Sequence, residues 1–165
     1  MSERRRTIEW QDPRQCQDGA EGKTGLDWMR AIATGAVPPP PIGETLRFRL
    51  AAAEEGLARF EGVPDESLYN PMGTVHGGWF ATMLDSAMGC AVHSTLPAGK
   101  AYTTLELKLN LVRALTNTVP LVRAEGRLVH GGRQVATAEA RLVGPDGKLY
   151  AHASTTCLVF NQASR

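Results

Sequence analysis

A glycine pair followed by a single aspartate carries the chemistry that this sequence offers. Gly77 and Gly78 stand at the start of an apolar stretch, and Asp85 lies eight residues after Gly77 inside it. The first amides of a helix lack intrahelical partners and lie at the positive end of its dipole, so they suit a carbonyl oxygen that becomes an oxyanion. A tight turn into a helix also favours glycine. The pair predicts an oxyanion site, with Gly78 as a further substrate contact, or else a structural turn.

Asp85 is expected on a helix that is otherwise apolar around it. Ionised carboxylates are rarely buried without a partner, because removing them from water is costly. Ala81 and Gly89, one helical turn to either side, are small and leave room for another molecule to approach. We predict that Asp85 is a catalytic carboxylate, with a structural hydrogen bond as the alternative.

The spacing between the two groups predicts how they meet. Eight helical residues span ~12 Å, which is further than an aspartate side chain reaches. Gly77 and Asp85 can act on one carbonyl group only if they come from two chains. A twofold dimer with antiparallel helices would bring them together twice. The spacing therefore predicts an obligate homodimer with two composite sites.

The element that positions both groups is predicted to be a helix from residue 75 to about 94. Its apolar residues recur at helical spacing, which indicates a largely buried helix. They are Trp79, Phe80, Met83, Leu84, Ala87, Met88, Ala91 and Val92.

Strands are predicted on both sides of this helix, and short turns between alternating runs indicate antiparallel hairpins. The inward positions of the later strands are small and would let the helix lie close to the sheet: Ala124, Gly126, Ala136, Ala138, Ala140, Ala151 and Ala153. The pattern predicts an α+β fold of order β-β-α-β-β-β-β, a long central helix wrapped by an antiparallel sheet. The predicted strands are 45–54, 57–62, 102–112, 121–130, 134–143 and 149–160.

Thr103 is predicted to complete the site. The leucines of strand 102–112 occupy odd positions, and Thr103 shares their parity. Because side chains alternate along a strand, its hydroxyl is expected to face the helix and to bond Asp85 or an attacking water. Strand propensity alone would also favour threonine there.

Residues 1–44 are predicted to form an extension of the domain at 45–165. The first 23 or so are polar without a period, which predicts a mobile tail. Thr24 and Asp27 form a capping pattern before a short helix that ends at Gly35. Pro38–Pro41 predict an extended strap. The helix and strap form either a flap over the domain or a plain extension.

Charge and cysteine content exclude several classes of protein. Of 165 residues, 18 are Lys or Arg and 17 are Asp or Glu, which gives no electrostatic basis for binding nucleic acid or a membrane. The three cysteines lack metal-ligand spacing, so we expect neither a metal nor a disulfide framework. There is no long apolar run and no signal-like start, so the expected location is the cytoplasm.

The stretch from Asn70 to Asp85, the stretch Thr103–Asn110 and the final strands resemble the hot dog-fold thioesterases, specifically the PaaI-like branch of phenylacetate degradation. The resemblance covers about residues 45–160. It implies metal-free hydrolysis of acyl-CoA by a homodimer, often a dimer of dimers, with CoA entering as part of the substrate and no cofactor.

The resemblance also implies roles for individual residues. Gly77 corresponds to the oxyanion-hole amide and Asp85 to a nucleophile or general base. Asn70 corresponds to a group that orients substrate or water. Thr103 corresponds to the hydroxyl partner of the carboxylate, and His76 to a histidine that holds the substrate loop. Basic residues that would meet the CoA phosphates are Arg133, then His130 and Arg113.

Two other functions stay open from the sequence. An acyl-CoA hydratase or dehydratase of the same fold would pair His76 with Asp85, although His76 stands in the glycine turn. A non-catalytic module would bind acyl-CoA without turnover. The sequence does not determine the acyl group, aryl or aliphatic, or whether Asp85 attacks directly or activates water.

Overall fold

Six antiparallel strands form one curved sheet around a long helix. The computed structural model describes residues 3–162, so the ends of the predicted ranges, 1–2 and 163–165, lie outside the described residues. The helices are α1 (Pro13–Asp18), α2 (Gly25–Ala33), α3 (Ile42–Leu46) and α4 (Gly77–His93). The strands are β1 (Phe48–Glu54), β2 (Leu57–Gly62), β3 (Lys100–Leu111), β4 (Val122–Gly131), β5 (Val135–Val143) and β6 (Leu149–Asn161).

The strands lie in the order β1-β2-β4-β5-β6-β3, so β1 and β3 are the two edges. The predicted element order and the α+β hot dog architecture are confirmed. No helix within residues 3–162 has the length and apolarity needed to cross a membrane.

The core lies between α4 and the concave face of the sheet. All eight residues of the predicted stripe on α4 are buried. The small residues predicted beneath the helix are buried too, and Gly126 shows why they are small. A Cβ atom at Gly126 would lie 2.2 Å from the carbonyl oxygen of Ala87, so α4 rests on the backbone of β4.

A β-bulge in β3 changes which of its residues face the helix. Thr104 pairs with Cys157 and Glu106 pairs with Thr156, so Leu105 has no partner and is 58% exposed. The extra residue reverses the alternation. The prediction that Thr103 faces the helix is therefore wrong: Thr103 is exposed, and Thr104 points inward.

The N-terminal extension holds more regular structure than expected. Residues 13–18 form α1, where the absence of a period predicted none. Asp12 caps this helix by accepting a hydrogen bond from the amide of Arg14, and Cys16 is buried. A helix of six residues is too short to show an apolar period in the sequence, which is why the pattern missed it.

The helix predicted after Thr24 is α2. Thr24 Oγ1 accepts a hydrogen bond from the Asp27 amide at 3.2 Å and donates one to the Asp27 carboxylate at 2.7 Å. The proline strap is shorter than predicted, because Pro41 already has helical dihedral angles (φ −55°, ψ −25°) and leads directly into α3.

Candidate active site

The amino end of α4 is shaped by His76 and the glycine pair. His76 is the N-cap, and its Nδ1 accepts a hydrogen bond from the amide of Gly78 at 2.9 Å. Within residues 3–162 the amide of Gly77 has no hydrogen-bond partner. Gly77 therefore keeps a donor for a ligand, as its position predicts. The amide of Gly78 is already used by the cap, and His76 holds the turn.

Gly77 lies in a cleft of about 380 Å³ that Asn70 and Arg113 also line. Asn70 Oδ1 accepts hydrogen bonds from the amides of Met72 (2.9 Å) and Thr74 (3.3 Å), and Nδ2 donates to Thr74 Oγ1 (3.0 Å). The Asn70 side chain thus fixes the loop before α4. Because Nδ2 carries two hydrogens, one of them is available to a ligand in the cleft.

Asp85 is half-buried on α4 and is held by β3. Thr104 Oγ1 donates a hydrogen bond to Asp85 Oδ1 at 2.9 Å. Asp85 Oδ2 has no hydrogen-bond partner in the described part of the chain and is not sealed from solvent. One carboxylate oxygen is therefore positioned by the hydroxyl, and the other is free to act on a substrate.

The two predicted catalytic groups lie in different clefts of one chain. Asp85 lines a cavity of about 360 Å³ between α4, β1 and the N-terminal extension, whereas Gly77 lines the cleft beside Asn70. Arg133 and His130 are exposed at the β4–β5 turn and line neither of these cavities.

Comparison with known proteins gives the family. The thioesterase superfamily matches residues 72–151. The phenylacetic acid degradation-related protein of Ralstonia eutropha JMP134 is 32% identical, with 79% of this chain and 98% of that chain covered and a TM-score of 0.71. This chain belongs to the thioesterase superfamily.

Two further solved structures are similar at lower identity. A thioesterase family protein of Silicibacter pomeroyi is 24% identical over 81% of this chain and 98% of that chain, with a TM-score of 0.71. The PaaI protein of the Escherichia coli phenylacetic acid degradation operon is 18% identical over 85% and 97%, with a TM-score of 0.72. Both support the fold. No match was found among curated protein sequences.

Three titratable side chains that line the cavity of Asp85 in this thioesterase-superfamily chain, Cys90, Tyr102 and His93, are uncharged near neutral pH. Burial raises the pKa of the Cys90 thiol to about 12. Burial, and then the proximity of the Cys90 thiol and the Asp85 carboxylate, raise the pKa of Tyr102 well above its usual value. Burial lowers the pKa of His93. No cluster of three or more potential metal ligands lies within residues 3–162.

Thr104 is the site residue that the sequence interpretation missed. A signal was present in β3, because Tyr102 is apolar at an even position whereas Leu107 and Leu109 are apolar at odd positions. All three pack against the core. A change of parity within one strand indicates a bulge between the two sets.

Proposed function

We propose that this thioesterase-superfamily chain hydrolyses acyl-CoA thioesters to a free acid and CoA, and that its active sites form between two subunits. The observation that carries the proposal is the state of Asp85. Its carboxylate is positioned by Thr104, keeps one free oxygen, and opens onto an apolar cavity. A fixed carboxylate beside an apolar pocket suits attack on an acyl group that has a good leaving group.

In the proposed reaction, the thioester carbonyl oxygen accepts a hydrogen bond from the amide of Gly77 of the partner subunit. Asp85 Oδ2 either attacks the carbonyl carbon, giving a mixed anhydride that water then hydrolyses, or takes a proton from a water that attacks. In both routes the carbon–sulfur bond breaks and CoA leaves as a thiolate. The oxyanion is stabilised at the amino end of α4, where the helix dipole is positive.

The edge strand β3 supports a dimer with this geometry. Asp85 bonds Thr104 near one end of β3, and Gly77 lies against Leu111 at the other end. If β3 pairs with its own copy in antiparallel fashion, with Thr104 near the partner's Leu111, each Asp85 approaches the partner's Gly77. Two such dimers would form the proposed tetramer.

Basic residues from both subunits would meet the CoA phosphates in this arrangement. The Arg113 guanidinium lies 6.0 Å from the Tyr150 ring centroid, and its Nε donates to the carbonyl of Leu149 at 3.3 Å. Its remaining donors have no hydrogen-bond partner among residues 3–162 and could bind a phosphate beside Gly77. Arg133 and His130 are exposed at the sheet end nearer Asp85, so we propose that they extend the same phosphate site from the other subunit.

The proposal is tested with two inactive variants that should complement each other in a mixed dimer. Gly77→Pro removes the amide hydrogen and is compatible with the backbone, since proline is favoured at the first helical position and His76 (φ −64°, ψ 140°) has the conformation that precedes proline. We expect kcat for thiol release from acyl-CoA to fall by ~10²–10³-fold. Asp85→Asn should also abolish turnover, with both variants folded.

Mixed dimers, isolated with two different affinity tags, should then recover about half of the wild-type rate, because one of their two composite sites is intact. Gly77→Ala is the matched control: it adds a Cβ 3.0 Å from Leu111 Cδ1 but keeps the amide, so it should retain most activity. Mixed dimers as inactive as both parents would mean that the groups do not act across subunits. Oxygen-18 single-turnover labelling separates the two routes, because only the anhydride route places solvent oxygen in Asp85.

Hydration and simple binding are tested in the same samples. A hydratase would need the His76 imidazole as an acid or base, whereas His76 Nδ1 is already engaged as the cap of α4 and accepts a hydrogen bond from the amide of Gly78 at 2.9 Å. Crotonyl-CoA hydration without thiol release would support the hydratase. Tight binding of acyl-CoA with no thiol release across aryl and alkyl esters would support a binding module.

A further inference from the structure

The N-terminal extension forms one side of the cavity that contains Asp85. Trp28, Met29 and Ile32 of α2 line it, and Phe48 of β1 lines it as well. The cavity is thus bounded mainly by apolar side chains, with the Asp85 carboxylate in the same lining. A segment outside the family match therefore shares a cavity with the candidate catalytic residue.

The N-terminal extension is held against the end of α4 by hydrogen bonds and close packing, so it can form a fixed side of the cavity. The Gly25 amide donates to the Leu96 carbonyl at 3.0 Å, and a Cβ at Gly25 would lie 1.9 Å from the His93 carbonyl oxygen. Trp28 Nε1 donates to the Cys16 carbonyl at 2.9 Å, and its ring centroid lies 5.3 Å from that of His93. Backbone contact and ring packing together fix α1 and α2 against the end of α4.

The volume of the cavity indicates the size of the acyl group that it can cover. At ~30 Å³ for each water-sized group, a cavity of about 360 Å³ accepts on the order of twelve non-hydrogen atoms. An acyl group of about eight carbons fits within that limit, and one of sixteen exceeds it. Ile32 is a half-buried part of the wall, whereas Met29 is 1% exposed and belongs to the core.

We propose that α2 is the end wall of the acyl pocket and sets the upper limit of acyl length, with Ile32 as the limiting side chain. This inference rests on the proposed function, because it takes the cavity beside Asp85 as the acyl pocket of the proposed site. The preferred substrates are then compact apolar acyl esters of up to about ten carbons.

The test compares thiol release from acetyl-, octanoyl- and palmitoyl-CoA by the full chain. For the wild type we expect kcat/KM for octanoyl-CoA to exceed that for palmitoyl-CoA by at least about tenfold. Ile32→Ala should raise the palmitoyl-to-octanoyl ratio by about tenfold, because it lengthens the pocket. Ile32→Trp should lower kcat/KM for octanoyl-CoA by a similar factor and leave acetyl-CoA unchanged.

Arg30→Ala is the matched control, since Arg30 is exposed on the same helix, and its chain-length profile should equal the wild type. Unchanged palmitoyl-to-octanoyl ratios of kcat/KM in both folded Ile32 variants would show that α2 does not limit acyl length. If the wild type released no thiol from any ester, the proposed function would fail. The wall would then be judged by calorimetric binding of octanoate, which Ile32→Trp should weaken and Arg30→Ala should not.

Discussion

At the scale of single residues, the pairing of Asp85 with Thr104 is what separates this carboxylate from a merely buried one. A hydroxyl that donates to one oxygen fixes the plane of the carboxylate and leaves the other oxygen pointing elsewhere. In the proposed reaction Thr104 acts through Asp85, so it is a positioning residue. Its contribution should appear in the rate of the chemical step and not in substrate binding.

Thr104→Val removes this hydroxyl and keeps the side-chain volume. Loss of one hydrogen bond to a charged group costs ~1.5 kcal/mol or somewhat more, so kcat should fall by about tenfold or more with KM nearly unchanged. Steady-state kinetics on an acyl-CoA ester measures the split. Thr104→Ser should restore most of kcat.

The neighbouring residue provides the control. Thr103→Val makes the same change at an exposed position one residue away and should leave both constants unchanged. Equal loss of kcat in the two valine variants would show that the effect belongs to the strand and not to the bond with Asp85.

Residue-level prediction succeeded where the helix governs geometry and failed where a strand irregularity does. Helical spacing gave Gly77 and Asp85 their separation, and a helix rarely departs from that spacing. Alternation along the strand predicted that Thr103 bonds Asp85. Because Leu105 is bulged, Thr104 makes that hydrogen bond instead. Parity arguments hold only up to the next bulge.

At the scale of elements, the short distance between α4 and the sheet depends on small residues in the strands. The helix touches β4 at Gly126, where Ala87 and Met88 contribute backbone atoms. Because α4 carries both Gly77 and Asp85, the distance between α4 and the sheet sets the position of each proposed catalytic group.

Gly126→Ala should force the helix away from the sheet. Its Cβ would lie 2.2 Å from a backbone oxygen that no rotamer change can move, so we expect a loss of ~1–3 kcal/mol in the free energy of unfolding. Denaturant unfolding measures it. Gly131→Ala, whose Cβ would meet Leu128 Cδ2 at an ordinary 3.4 Å, should change stability by less than ~0.5 kcal/mol. Equal stabilities of the two variants would contradict close packing at Gly126.

The extension shows what sequence patterns miss at this scale. The capping pattern at Thr24 predicted α2 because capping is local. The burial of Cys16 and Met29 depends on contacts with distant parts of the chain, which no local pattern records. The placement of Ile32 in the cavity with Asp85 could therefore not be predicted.

At the scale of the whole molecule, β3 is a free edge that is long and partly apolar. It has twelve residues and no strand on its outer side within the described chain. Leu105 is 58% exposed, and Leu111 is 51% exposed. Exposed strand edges with apolar side chains readily pair with another chain. The other edge, β1, is packed against α2 and α3. The remaining edge, β3, is the one beside both proposed catalytic groups.

Pairing of β3 with its own copy fixes which residues meet their equivalents. If Thr104 lies near the partner's Leu111, the twofold axis passes close to Lys108. Lys108→Cys should then form an intersubunit disulfide under mild oxidation, because Cα atoms of such neighbours lie ~5–6 Å apart. Thr103→Cys, about 30 Å from its copy at ~3.3 Å per residue, should not. Non-reducing electrophoresis of both variants decides, with the wild type as background, since Cys16 and Cys157 are buried. A cross-link at position 103 but not at 108 would shift the axis and separate Asp85 from the partner's Gly77, and the composite site would then lose its geometric basis.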